Sequence, residues 1–262
     1  MTDPRIQARR VGVQRAKGRR RLRAVLAVLG LGGLGAGGVA VAHSSLFAAR
    51  SVVIAGAVHT SRAEVVSVTG LWRRPPLIDV SPSSMERELD SLPWVASSTV
   101  RVAWPSTVAV ALVERVPVAT AKSAPHSYAL IDETGRVLAF EPNRPAGLPL
   151  VVDLGPIGLP GSSIAKENLP LVATAAALPV SLLAKVRSIG DSPSLGVVVQ
   201  LNDGVRAVVG ADQSLLQKFV SLATVLQRVS LAGVGLIDLR VPSSPVLTPQ
   251  VTSPNLQLQG RG

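Results

Sequence analysis

The chain has 262 residues, 47% hydrophobic but only 3% aromatic, with three histidines and no cysteine. That length can bury a sizeable aliphatic core, and the lack of cysteine excludes thiol catalysis, cysteine-based zinc sites and disulfides. The net charge of +11 raises nucleic acid or an anionic membrane as partners, and where the charge sits decides between them.

Residues 1–23 carry nine basic side chains, from Arg5 to Arg23, against Asp3 alone, so this tail holds +8 and the rest of the chain only +3. No aromatic is interleaved there for base stacking, so the tail reads as a topology signal rather than a nucleic-acid ligand. Ala24–Ala49 follows without a Lys, Arg, Asp or Glu. At ~1.5 Å per residue, Ala24–Ala42 would extend about 28 Å, close to a hydrocarbon core of ~30 Å. The basic flank predicts the N-terminal end in the cytoplasm and everything after Arg50 outside. Ala40-Val41-Ala42 resembles a signal cleavage site, but the charged region and apolar run are longer than in a secretory leader, which favours an uncleaved anchor. Gly33 and Gly37 are spaced to pack two membrane helices closely, although in a segment this rich in glycine the spacing is more often coincidence.

Beyond Arg50, Val52–Ala55 reads as a strand ended by Gly56. Ser61-x-x-Glu64 is a capping box opening a helix through Val65, Val66 and Val68 to Gly70. Its β-branched residues leave it dependent on packing. A loop with Arg73, Arg74, Pro75 and Pro76 leads to a second helix, which starts near Ser81 with Pro82 in its first turn. Met85, Leu89 and Leu92 form its apolar stripe, and Pro93 terminates it. Val95–Ala103 and Thr107–Val113 alternate apolar and polar residues about Trp104-Pro105-Ser106. They predict a hairpin in which Val100, Val102 and Trp104 share one face and Val108, Val110 and Leu112 continue it. The order is β-α-α-β-β, one small α+β module over 51–118.

Glu114-Arg115-Val116-Pro117 is the seam to a strand-rich half. Tyr128–Ile131 and Arg136–Phe140 form a hairpin about Asp132-Glu133-Thr134-Gly135, and Leu148–Val152 is a short strand. Leu169–Leu178 and Ser181–Val186 read as helical pieces divided by Pro179. Prolines 170 and 179 leave that uncharged stretch too short to span a membrane. Val197–Leu201 and Val205–Val209 make a hairpin about Asn202-Asp203-Gly204. Asp212 can cap a helix running to about Arg228, with Leu215, Phe219, Leu222 and Leu226 as its core stripe. Gly235–Val241 is the last strand, with Ile237, Leu239 and Val241 on one face and Leu236, Asp238 and Arg240 on the other. Residues 242–262, rich in Pro, Ser, Thr and Gln, read as an unfolded tail.

No catalytic constellation emerges. His43, His59 and His126 neighbour no Gly-x-Ser-x-Gly elbow, no His or carboxylate pair has ligand spacing, and no phosphate-binding glycine loop is present. The chain therefore reads as a non-enzyme with no cofactor or metal, and binding is the class that remains. A sheet edge supplies the mechanism, because its unpaired N–H and C=O groups accept a partner strand. The last strand, 235–241, is the candidate; if it lies inside the sheet instead, Asp238 and Arg240 are only its solvated face.

The most specific run is Val100-Arg101-Val102-Ala103-Trp104-Pro105-Ser106-Thr107-Val108, leading into Glu114-Arg115-Val116-Pro117-Val118-Ala119. With the β-α-α-β-β order, it resembles the POTRA domain of the FtsQ/DivIB family of bacterial cell-division proteins. Leu130-Ile131-Asp132-x-x-Gly135, Asp203-Gly204-Val205 to Gly210, Lys218-Phe219 and Ile237-Asp238-Leu239-Arg240 are similar to that family's C-terminal pattern. The resemblance implies an α+β fold in five parts. These are a basic cytoplasmic tail (1–23), a transmembrane anchor (24–49), a POTRA module (51–118), a mainly antiparallel β domain with flanking helices (119–241) and a disordered Pro-rich tail (242–262).

It further implies a non-catalytic, single-pass type II protein of the plasma membrane at the division septum. Such a protein scaffolds and regulates septum formation through bitopic partners of FtsB/DivIC and FtsL type. The family's FtsB-type contact lies on the last strands and the segment after them, which maps to Leu236, Ile237, Asp238, Leu239, Arg240, Val241 and Pro242, extending toward Pro249. The alternative is a POTRA-containing outer-membrane assembly or secretion factor. Several POTRA copies and a β-barrel would be expected there, whereas this chain has one copy and a helical anchor. A membrane-anchored cell-wall hydrolase would need a nucleophile or metal set that the sequence lacks.

Overall fold

The computed structural model describes residues 25–211 and 213–250. The basic tail, the proposed Asp212 cap and residues 251–262 lie outside them. The apolar run forms helix α1 (Val25–Ala42), with a mean hydropathy of 2.0 and none of its surface buried. It is long and apolar enough to cross a bilayer. The chain divides into two units, one running to Leu89 and taking in Ser97–Leu112, the other made of Asp90–Ala96 and the residues from Val113 onward.

In the first unit, β1 (Ser51–Ala55) is followed by α2 (Arg62–Val68), α3 (Pro82–Asp90), β2 (Val95–Ala103) and β3 (Thr107–Glu114). The sheet order is β1-β3-β2, with β1 parallel to β3 in the register Val52↔Val108 and Ile54↔Val110. Ser61 caps α2 as the sequence predicts, its Oγ accepting from the Glu64 N–H at 3.1 Å. Gly70 ends the turn with φ +67. Val65, Met85, Leu89, Val100, Val108, Val110 and Leu112 form the core. Trp104 departs from expectation: it is 56% exposed and meets Phe47 edge-on at 5.5 Å between ring centroids. Its strand ends at Ala103, so the turn carries the indole off the core face. Gly56 at the end of β1 has φ +79 and lies so close to Leu112 that a Cβ would sit 2.0 Å from the carbonyl oxygen.

The second unit is a nine-stranded sheet in the order β12-β11-β10-β9-β8-β7-β4-β5-β6. Its strands are β4 (Pro117–Ala124), β5 (Ser127–Asp132), β6 (Val137–Glu141), β7 (Leu150–Val151), β8 (Val186–Ser192), β9 (Gly196–Leu201), β10 (Arg206–Gly210), β11 (Val234–Asp238) and β12 (Val246–Pro249). Pairing is antiparallel except at β4–β7, β7–β8 and β10–β11. Helices α4 (Leu169–Ala177), α5 (Val180–Leu183) and α6 (Leu215–Arg228) complete the unit. Leu171, Val172, Phe219 and Leu222 of α4 and α6 join Ile189, Val199, Ala207 and Ile237 of the sheet in one core.

Besides the outermost strand β12, two strands escape the sequence reading. In β4, Ala119, Ala121 and Thr120 are fully or almost fully buried, yet alanines give little strand signal. Likewise Val186, read as the end of a helix, opens β8 instead. Around the seam, Asp132 is nearly closed from solvent, its side chain 3% exposed. It accepts from Arg115 Nη1 at 2.7 Å, from Thr134 N and Oγ1 at 2.9 and 2.8 Å, and from Arg136 N at 2.8 Å. Arg136 Nη2 in turn donates to the Ser91 carbonyl at 2.7 Å, and Arg115 Nε to that of Val95 at 3.0 Å.

Candidate functional site at the C-terminal sheet edge

The candidate strand does not form the edge of the sheet. β11 lies between β10 and β12, and the outermost strand is β12, inside the segment that composition marks as unfolded. The pairing is antiparallel, with Leu236↔Thr248, Ile237↔Leu247 and Asp238↔Val246. Both corrections have one cause. Val246-Leu247-Thr248 is short, but Leu247 packs on the core, and this tertiary contact with a ready-made ladder outweighs the local preference of a Pro- and Ser-rich stretch.

Backbone direction along the edge follows from two bonds. The Leu239 N–H donates to Val208 O at 2.8 Å, and the Gln250 N–H to Gly233 O at 2.8 Å. N–H groups two residues apart share a side of a strand. Those of Ile237 and Leu239 therefore face β10, and those of Leu236 and Asp238 face β12. Thr248 and Val246 turn inward with Gln250, while Leu247 and Pro249 turn outward. Proline has no N–H. The free edge thus presents the carbonyls of Leu247 and Pro249 but, along β12, the donor of Leu247 alone.

The predicted site residues separate accordingly. Ile237 and Leu239 are fully buried core residues. Leu236 is committed to the ladder with β12. Asp238 and Arg240 pair with each other, Arg240 Nη2 to Asp238 Oδ2 at 2.6 Å and Nε to the same carboxylate at 3.0–3.1 Å. Hydrogen bonds from Arg240 hold the Asp238 carboxyl below its ordinary range. The stem of Arg240 lies across Gly210, where a Cβ would meet its Cγ at 2.9 Å. Val241 is exposed, and the Pro242 carbonyl accepts from Ser221 Oγ of α6.

The resemblance extended the contact toward Pro249, but sequence reasoning did not read Val246 and Leu247 as a strand, and it missed Leu216 and Val220 on α6. Val246, Leu216 and Val220 are, with Val241, exposed apolar side chains of this end of the unit. The i, i+4 spacing of Leu216 and Val220 was visible in the sequence as a second apolar row beside the core stripe. Among the described residues, no group of three His, Asp or Glu side chains is arranged to hold a metal ion.

Comparison with known proteins bears on both regions. Residues 47–115 match the model of the FtsQ-type POTRA domain, and residues 119–240 that of the C-terminal region of cell division protein FtsQ/DivIB. The chain is 28% identical over 239 residues to the cell division protein FtsQ of Mycobacterium bovis, a match covering 84% of this chain and 73% of the relative. It is 24% identical over 178 residues to FtsQ of Corynebacterium glutamicum, covering 68% of this chain and 78% of that protein. The match to FtsQ of Mycolicibacterium smegmatis, 28% identical over 189 residues, covers 72% of this chain and spans 55% of the relative. A solved structure of the major extracytoplasmic domain of the division protein DivIB from Geobacillus stearothermophilus matches 45% of this chain and 98% of its own, at 18% identity and a TM-score of 0.31. With two consecutive family models over residues 47–240 and FtsQ relatives along most of its length, the chain belongs to the FtsQ/DivIB family of bacterial cell-division proteins.

Proposed function

We propose that this membrane protein of the division machinery is a non-catalytic scaffold, anchored by α1 with its N-terminal end in the cytoplasm. Its folded units then lie outside, at the septum, and bind bitopic partners of FtsB/DivIC and FtsL type. The observation that carries the binding reading is the free edge of β12. Among the described residues it is an unpaired edge of a nine-stranded sheet, and exposed Val246 and Val241 stand beside it. A partner segment adding there gains main-chain hydrogen bonds at Leu247 and apolar contact around it. The contact centre moves from the interior strand 236–241 to Val246–Pro249, with Val241 and Pro242 at its flank. The basic tail and α1 support the orientation.

The test is binding of the extracytoplasmic segments of the bitopic division proteins to the chain with Leu247→Pro. The Leu247 N–H serves no bond among the described residues, but the side chain packs on the core, so Leu247→Ala, which keeps the N–H, is the control. In folded variants Leu247→Pro should bind at least tenfold more weakly than Leu247→Ala, about 1.4 kcal/mol, for the lost bond and the ring's clash with an incoming strand. Unchanged affinity in a folded variant would move the contact elsewhere. Leu236→Pro is the wrong probe, because it breaks the β11–β12 ladder itself.

A further inference from the structure

Directly after α1 the chain folds back on the first unit and builds an open, basic cavity of about 740 Å³, whose lining includes His43, Ser44, Arg50, Arg74 and Pro76. The segment is held firmly. Ala49 N donates to Pro75 O at 2.9 Å and Arg50 N to Ser106 O at 3.0 Å, so the loop 73–76 and the turn 104–106 flank it. Neither arginine has an acidic partner among the described residues. Among the described residues Arg50 reaches only the Ser45 carbonyl, and the Arg74 guanidinium makes no hydrogen bond or ion pair. The nearby carboxylate of Asp79 is engaged by His43 Nε2 at 3.3 Å. The Ser44 hydroxyl in the wall is buried with no hydrogen-bond partner among the described residues.

Arg74 also sits in the left-handed region, φ 52 and ψ 56, where a long side chain is unusual and glycine or asparagine is at ease. Strain of this kind persists where the surrounding structure imposes it, and it clusters at ligand sites. Leu46 follows the lining residue Ser45, Trp72 lies two residues before Arg74, and Trp104 meets Phe47; they are 65%, 61% and 56% exposed, with the Arg73 guanidinium 4.7 Å from the Trp72 ring. Exposed aromatic and aliphatic side chains beside guanidinium groups, within a few residues of a helix long enough to span, are what the interface of a bilayer accommodates.

We propose that Arg50 and Arg74 bind the phosphate of an anionic phospholipid headgroup at the bilayer surface where α1 emerges, with Leu46 and Trp104 seated among the lipid glycerols. Guanidinium suits the phosphodiester because it offers forked donors, and a basic pocket beside a membrane helix is the geometry that selects anionic lipid. The inference rests on reading α1 as a bilayer span; it does not depend on which way the span is oriented.

The full chain is reconstituted in phosphatidylcholine nanodiscs containing phosphatidylglycerol, and lipids retained by the protein are identified by native mass spectrometry. Phosphatidylglycerol should be enriched among them, and Arg50→Gln or Arg74→Asn should each lower the enrichment about fivefold. Arg74→Asn is the sharper variant, since asparagine tolerates the left-handed backbone and should leave the melting temperature unchanged or raised. Equal enrichment in both folded variants would overturn the assignment. So would a loss seen only when Arg19, Arg20, Arg21 and Arg23 of the tail are changed to Gln. Binding of inorganic phosphate in neutral detergent, with no retained phosphatidylglycerol, would assign the cavity to a free anion and likewise overturn it. A chain that fails to enter pure phosphatidylcholine nanodiscs would instead refute the span, and this inference with it.

Discussion

Replacing Asp132 with Asn should destabilise the second unit by about 3 kcal/mol. The carboxylate is nearly closed from solvent and gathers donors from Arg115, Thr134 and the Arg136 backbone. Asn keeps the shape and one acceptor oxygen. Its amide, however, points a donor at Arg115 Nη1, and that guanidinium is itself only 18% exposed. Breaking a fully buried pair costs about 3–5 kcal/mol, and the partial exposure of Arg115 argues for the low end. In a unit of this size such a loss lowers the melting temperature by roughly 6–12 °C.

The pH dependence gives a second reading of the same group. Burial alone would push the Asp132 carboxyl up, but the bonds from Arg115, Thr134 and the Arg136 N–H prevail and hold it below 3.8. A folded-state pKa below the unfolded value contributes stability that is complete above the unfolded value and fades as pH falls through the folded one. The gap between wild type and Asp132→Asn in thermal or urea unfolding should therefore be constant near neutrality and shrink below about pH 4. A variant that melts with the wild type, or a gap that does not narrow in acid, would refute the reasoning.

Two further substitutions probe each unit by itself. Gly56→Ala should unfold the first unit or cost it more than about 3 kcal/mol, because the new Cβ would stand 2.0 Å from Leu112 O at a positive φ; a circular-dichroism melt decides it, and a near-wild-type midpoint would contradict the packing described. Lys218 is buried, its Nζ donating to Val209 O at 2.8 Å and Ala211 O at 2.7 Å. Lys218→Met should thus cost about 2 kcal/mol by stranding those carbonyls, and a rise in stability on urea titration would show that the cost of burying the charge had outweighed them.

Much of the fold was legible because period and punctuation agreed. The alternation from Val95 to Val113 and the Phe219–Leu222 stripe needed only a core to pack on, and each found one: Val95, Val100, Val108, Val110 and Leu112 are buried along the alternation, Phe219 and Leu222 in the stripe. What was hidden is what neighbours decide. β4 uses Ala119 and Ala121 beneath α4, where small side chains fit and carry no strand signature. β8 begins at Val186 and places Gly190 where a Cβ would lie 2.8 Å from Val152, a strand made by pairing on both sides rather than by its own residues. The site was legible to within one strand. Residues 235–241 read as the last strand, but nothing local says that the three residues between Pro245 and Pro249 will pair, because the reason lies in Ile237 opposite Leu247.

Those prolines also bear on which strands the edge can accept. Suppose two copies of the chain met antiparallel at β12, centred on Leu247. The two Leu247 residues would exchange a pair of hydrogen bonds, but at each flank Pro245 would face Pro249, carbonyl opposite carbonyl, with no donor on either side. A partner strand without prolines at those positions would donate to both carbonyls and so make two bonds more. At about 1 kcal/mol each, that favours a foreign strand over a second copy by roughly thirtyfold. An exposed sheet edge is ordinarily a liability for self-association, and proline on such an edge is one of the ways proteins blunt it. Here the blunting is partial: Leu247 keeps its donor. The edge is thus closed to its own kind more firmly than to a donor-rich partner, the selectivity that the proposed scaffold role would require.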